Sequence, residues 1–254
     1  MKEMIKKLDV KLGCYIDLQY SHFVKYDKVL GTEGQYSKED WVTHRKSINI
    51  YEDSADGDQV FLEKVLFSEF NKTVAFNELT SKFDFSKYKN ILEIGAGYMY
   101  QTFLLRQYCG DVDITASDFD SEVISQSSNV KLLDNIEKIE FDILKDSIDT
   151  KYDLAISWAV EYHFTTDELL LVLNKLADNN TNFLVLSLTV GTPIRNIKNI
   201  LKRKANSKEI KNKSLRAHGW ERSLKYFNGM ANKANFKFNY LGKCGRYHAL
   251  FFYK

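Results

Sequence analysis

The spacing of apolar residues changes character near residue 88. Before it, Val60, Phe61, Val65, Leu66, Phe70 and Val74 recur at helical intervals and predict one long amphipathic helix over about 58–81. Ser37-Lys38-Glu39-Asp40 ahead of Trp41 and Val42 reads as a capped helix start, and residues 53–58 as a loop. After residue 88, short apolar runs alternate with helical stretches. Residues 91–94, 113–117, 139–141, 152–157 and 183–190 read as strands, the last a continuous apolar run expected to be buried on both faces. Helices are predicted over about 99–108, from about 121, from the capping-box pattern Thr165-Thr166-Asp167-Glu168, and from Ser223 to about 233. Residues 236–241 and 247–253, joined by Gly242-Lys243-Cys244-Gly245, predict a terminal hairpin. This alternation argues for an α/β fold, a largely parallel sheet with helices on both faces. The expected division is a helical cap or lid over 1–88 and an α/β domain over 89–254, with a basic insertion near 191–217.

The first predicted strand runs into Glu93-Ile94-Gly95-Ala96-Gly97-Tyr98, and the second ends at Asp118-Phe119. Glycines let the backbone turn sharply and let a ligand lie against bare main chain. A helix start just beyond offers free N–H groups, and an acid at the tip of the second strand can accept both hydroxyls of a ribose. A dinucleotide fingerprint would need a third glycine where Tyr100 stands. Glu93 would also repel a diphosphate, whereas a cationic or zwitterionic ligand suits it.

Glu93-x-Gly95-x-Gly97 resembles motif I of the class I S-adenosylmethionine-dependent methyltransferases, with Met99 where the family often has a further glycine. The order of elements is similar too, as is the exit Asn232-Lys233-Ala234-Asn235-Phe236, in which Asn235 replaces the family's glycine as a left-handed cap. The resemblance covers about 88–254. It implies a Rossmann-like, seven-stranded, mostly parallel sheet whose last strand is antiparallel. It also implies S-adenosyl-L-methionine as cofactor, held by Glu93, Gly95, Ala96, Gly97, Asp118, Phe119, Ser157 and Asp142, the last at the end of strand three where the family reads the adenine amino group.

Methyl transfer demands alignment, plus removal of a proton where the acceptor is a hydroxyl. The loop after strand four, Ser157-Trp158-Ala159-Val160-Glu161-Tyr162-His163, should face the methyl group. It supplies His163 as a base candidate and Glu161 as a residue to orient an imidazole or bind a cationic acceptor. It also supplies Trp158 and Tyr162 as acceptor contacts. Ala217-His218-Gly219-Trp220-Glu221-Arg222-Ser223 resembles a segment that borders the acceptor pocket in small-molecule methyltransferases of this fold. His218 is the favoured base on that ground, and Trp220 a wall.

Charge narrows the acceptor. The net charge is only +2, yet Arg195–Arg216 holds nine Lys or Arg and one acid, Glu209, so the rest of the chain is net acidic. Such a run suits an anionic small-molecule acceptor, such as a phosphorylated metabolite or nucleotide-sugar, and the resemblance adds a sugar-like acceptor with O-methylation favoured. Two alternatives stay open: an RNA methyltransferase using the same basic run, and a non-catalytic S-adenosylmethionine-binding subunit. Asp/Asn-Pro-Pro-Tyr and Pro-Cys motifs do not occur, and Ser157 and Thr189-Val190 stand where a catechol-type enzyme would carry metal-binding acids, so no metal is expected. Cys14, Cys109 and Cys244 form no C-x-x-C, and neither a leader nor a membrane-length apolar run occurs. A reduced, cytoplasmic protein is the expectation.

Overall fold

The computed structural model describes residues 2–15, 57–68, 70–188, 190–194, 197 and 222–254. The expected N-cap at 37–42 and most of the loop at 53–58 lie outside them. Five strands in chain order, β1 (Asn90–Ile94), β2 (Asp113–Asp118), β3 (Glu137–Glu140), β4 (Leu154–Trp158) and β5 (Asn182–Ser187), are joined by parallel pairing. Two two-residue strands, β6 (Val190–Gly191) and β7 (Arg222–Ser223), form a separate parallel pair. The hairpin β8 (Lys237–Cys244) and β9 (Tyr247–Tyr253) completes the main sheet, in the order β3-β2-β1-β4-β5-β9-β8. β9 is antiparallel to both neighbours, so it alone runs against the sheet. This is the α/β, Rossmann-like, seven-stranded arrangement that the resemblance implied.

Helices cover both faces because the strands are apolar on both. On one face Ile91, Ile114, Leu154, Ile156, Trp158, Leu184 and Leu186 share a core with Phe61 of α2 (Gly57–Glu63), with Ala75, Phe76 and Leu79 of α3 (Phe70–Thr80), and with Leu104 and Leu105 of α4 (Tyr100–Cys109). On the other, Leu92, Ile94, Ala155, Phe183, Val185 and Phe252 pack with α6 (Thr166–Asp178) and α7 (Leu224–Lys233), while the short α5 (Ser121–Ser127) comes after β2. The described part of the expected cap therefore shares its core with the sheet.

The single helix expected over 58–81 is instead α2, a π-helical turn at Lys64–Ser68, and α3. A π turn inserts an extra residue and rotates the residues beyond it about the helix axis. Phe61 and Val65 are buried as the spacing implied, but Leu66 and Phe70 are 57% and 59% exposed, and Ala75, Phe76 and Leu79 take over the core. An unforeseen first helix, α1 (Lys2–Gly13), is tied to the stretch after β6. Its Asp9 carboxylate accepts from Thr192 Oγ1 at 2.7 Å and from the Ile194 N–H at 2.6 Å.

Three boundaries moved. β5 stops at Ser187, and Val190 belongs to the small sheet. β3 ends at Glu140, two residues before Asp142. β8 runs on through Gly242 by way of a bulge, which shifts the hairpin turn to Gly245-Arg246. Two caps formed as read. Thr165 Oγ1 accepts from the Glu168 N–H while Glu168 accepts from the Thr165 N–H, and Asn235 takes φ 57°, with the Phe236 N–H returning to Ala231 O at 2.9 Å.

Candidate active site

The strands β1 to β5 end on one edge of the sheet, and the sequence motifs collect there. The turn after β1 takes the left-handed region at Gly95 (φ 69°), Gly97 (φ 55°) and Met99 (φ 61°). A non-glycine residue there costs about 1 kcal/mol or more, and the fully buried Met99 side chain offsets this within the core. Main-chain bonds fix the turn: Ala96 N–H to Ser117 O at 2.8 Å, and Met99 N–H to Ala96 O at 2.9 Å. Gly95 is also sterically required, since a Cβ on it would lie 2.8 Å from Val160 Cγ2.

Two acids sit beneath this turn. Glu93 is buried and accepts from the Thr102 hydroxyl; burial pushes its carboxyl up to about 7, opposed by that bond and by Lys72 and assisted by Asp118. Asp118, at the tip of β2, is also buried. Its Oδ2 accepts from the Gly97 N–H at 2.9 Å and its Oδ1 from the Asp120 N–H at 3.1 Å. The residue read as a ribose ligand thus also holds the glycine turn. Phe119 is half-buried beside it. Asp142, in the turn after β3, accepts from the Leu144 N–H at 3.2 Å and pairs with Lys145 at 3.8 Å.

The loop after β4 closes the site. Ala159 adopts φ 59°, and Glu161–His163 form a 3-10 turn. Ser157 Oγ, Trp158 Nε1 and both Glu161 carboxylate oxygens are buried without a hydrogen-bond partner among the described residues. Glu161 therefore does not hold the His163 ring. Burial pushes its carboxyl up to about 7, offset in part by the nearby Ser187 hydroxyl and the Arg222 charge. Buried, unpaired polar atoms are costly, and their collection on this edge marks a place where a ligand would complete the bonding. Trp158 lies edge-on to Tyr247 at 5.1 Å and parallel to Phe76 at 6.0 Å. Tyr162 is buried, its hydroxyl pushed up by desolvation and then by Glu161, and its ring centroid is 4.2 Å from that of half-buried His163.

Glu93, Gly95, Ala96, Gly97, Asp118, Phe119, Ser157, Trp158, Glu161, Tyr162 and His163 are thus brought to one edge, with Asp142 just beyond β3. His218, Trp220 and nearly all of the basic insertion lie outside the described residues. Sequence reasoning missed three contributors. Tyr247 starts β9 and looks like any strand aromatic. Thr102 lies on α4, nine residues from the acid it contacts. Arg222, only 3% exposed, donates from Nη1 to Glu161 O at 3.1 Å and from Nη2 to Phe164 O. The one signal for it was a charge immediately before the Ser223 cap.

No protein-family model matches the sequence, and no curated protein does. Solved structures match by shape. Human N-acetylserotonin methyltransferase in complex with S-adenosylmethionine overlays with a TM-score of 0.56 and 18% identity over 91% of this chain and 66% of that one. An O-methyltransferase family protein from Burkholderia thailandensis gives 0.58 and 14% over 97% of this chain and 71% of that one. PigF bound to S-adenosylhomocysteine gives 0.57 and 12% over 89% and 70%. The chain spans about two thirds of the length of the human protein. Strand order, the reversed β9 and these overlays establish that the chain has the class I methyltransferase fold.

Proposed function

We propose that this chain is an S-adenosylmethionine-dependent methyltransferase acting on a small polar acceptor, with a hydroxyl as the methylated group. The observation that carries the proposal is the gathering on one sheet edge of the left-handed glycine turn, the Asp118 tip of β2, and the buried unpartnered polar atoms at the end of β4 and in the turn beyond it. The residues fit the cofactor chemically. The turn is underlain by two acids, Glu93 and Asp118, which suits a ligand carrying an ammonium and a sulfonium. Both Asp118 oxygens are acceptors, which is the chemistry that a pair of ribose hydroxyls requires. Phe119 offers an apolar surface to the base, and Asp142 an acceptor for its amino group.

The cofactor supplies a methyl carbon already activated by the adjoining sulfonium. The chain's residues do the rest. Trp158 and Tyr162, with Tyr247, wall the acceptor. A histidine, His218 by preference and His163 next, would take the proton of the acceptor hydroxyl. The basic run Arg195–Arg216 supports an anionic acceptor, phosphorylated or sugar-like. The neighbours described as O-methyltransferases support oxygen as the acceptor atom.

Calorimetry with S-adenosylhomocysteine tests the reading. Asp118→Ala should lose roughly 2–4 kcal/mol of binding, the worth of two charge-assisted hydrogen bonds. Asp118→Asn retains one acceptor oxygen for the Gly97 N–H and should fall between. Equal affinity in a folded Asp118→Ala protein removes Asp118 from the site, and no binding by the wild type defeats the reading as a whole.

A further inference from the structure

Arg222 is a buried cation spent on main chain. Its guanidinium is held over the Tyr226 ring at 5.8 Å and sits near the charges of Glu161 and Glu168, and among the described residues it donates to the carbonyls of Glu161 and Phe164. Those carbonyls bracket the 3-10 turn Glu161–His163. Of the turn's two closing bonds, His163 N–H to Val160 O is 2.9 Å, but Phe164 N–H to Glu161 O, the one that ends it, is long at 3.3 Å. A planar two-pronged donor that spans both carbonyls supplies what that bond does not. Burying an arginine costs several kcal/mol unless its geometry is well satisfied, so an ordinary surface cation would not be placed here.

The braced turn begins beside Val160, whose Cγ2 occupies the space a Cβ on Gly95 would need. A path of direct contacts therefore leads from Arg222 through the Glu161 carbonyl and Val160 to the glycine turn. Arg222 itself is anchored by strand pairing, as its Cα partner in the small sheet is Val190. We propose that Arg222 is a positioning residue for cofactor binding, holding the turn after β4 so that Val160 stays seated against Gly95 and the glycine turn keeps its shape. This rests on the methyltransferase reading above, and in it Arg222 acts through Val160 rather than on the ligand.

The competing explanation is that Arg222 serves only as counter-charge to Glu161. The two differ in experiment. With S-adenosylhomocysteine as the probe and titrations run well below the melting temperature, Arg222→Ala should bind about tenfold more weakly than wild type. Arg222→Lys, a point charge that cannot fork two carbonyls, should recover only part of that affinity. Millimolar guanidinium chloride should restore binding to Arg222→Ala, against a matched sodium chloride control, and leave the wild type unchanged. The loss on Arg222→Ala should persist in a Glu161→Gln background, where no counter-charge is needed.

Affinity within twofold of wild type in both Arg222 variants overturns the proposal. So does a loss that guanidinium does not reverse, or one that vanishes once Glu161 is Gln. Should Arg222→Ala fail to fold, Arg222→Lys decides, and wild-type affinity in that variant counts against a positioning role. A wild type that does not bind the probe defeats the methyltransferase reading first, and this inference falls with it.

Discussion

Replacing Gly95 with alanine strains the glycine turn in two separable ways. At φ 69° the new Cβ meets the left-handed penalty of about 1 kcal/mol or more. It also lands 2.8 Å from Val160 Cγ2 and 3.3 Å from Cγ1, an overlap that must displace a β-branched side chain with little rotamer freedom. Overpacking of this kind costs about 1–3 kcal/mol, so the substitution should destabilise the chain by about 2–4 kcal/mol. Val160→Ala removes both methyls that the new Cβ would strike. In the double variant the steric cost should vanish, leaving the backbone penalty and the cost of Val160→Ala itself, and the cycle should show a favourable coupling of about 1–3 kcal/mol. Urea unfolding of the four proteins measures this from midpoints at constant slope. Calorimetry with S-adenosylhomocysteine on the same proteins should show weaker binding by Gly95→Ala, with partial recovery in the double variant. A Gly95→Ala protein within about 0.5 kcal/mol of wild type, or a coupling near zero, refutes the claim that Val160 is wedged against this glycine.

Three further outcomes are expected of the site. Glu93 keeps its proton up to about pH 7 in the folded chain against an ordinary value of 4.5. The unfolded chain releases that proton first, so Glu93 should withdraw up to about 3 kcal/mol of stability as pH rises from about 4.5 to about 7. Urea midpoints at pH 5 and pH 8 should show Glu93→Gln gaining on wild type at the higher pH, and an equal difference at both values counts against this. Turnover of the acceptor should fall by about 10²–10⁴ in kcat in whichever of His218→Ala and His163→Ala removes the base, with cofactor affinity intact; a loss of only a few fold in both points to Glu161 or Tyr162, or to an amine acceptor. Neutralising Lys202, Arg203 and Lys204 together should raise the acceptor KM and flatten its salt dependence, and unchanged constants would make the basic run a solvated surface only.

What the sequence disclosed and what it withheld divide along a physical line. The order of strands, the glycine turn, the Thr165 capping box and the Asn235 cap are written in neighbouring residues and formed as read, although the ends of β3, β5 and β8 moved. Met99 was visible as a departure from the family motif. Only the backbone showed that it takes the glycine's φ and is repaid by burial. The π turn escaped notice because the helical period of 58–81 looks unbroken until one sees that Leu66 and Phe70 face out. The small sheet, the Asp9 contacts and the Arg222 brace depend on partners far along the chain. The brace joins residues 61 and 58 positions apart, and nothing in residue spacing announces a side chain that bonds to another segment's carbonyls.

The pairing of β6 with β7 has a bearing on how this chain can change over evolutionary time. Val190–Gly191 and Arg222–Ser223 lie side by side, so the two ends of the segment that connects them are held close together. The entropy of closing such a loop grows only with the logarithm of its length, about 0.6 kcal/mol per doubling. Closure alone therefore constrains the length of the connecting segment only weakly, provided the two short strands stay paired and Thr192 and Ile194 keep their bonds to Asp9. Since this stretch also carries the cationic run and His218, on the proposed function it is where acceptor preference would diverge while the glycine turn and the seven-stranded frame stay fixed.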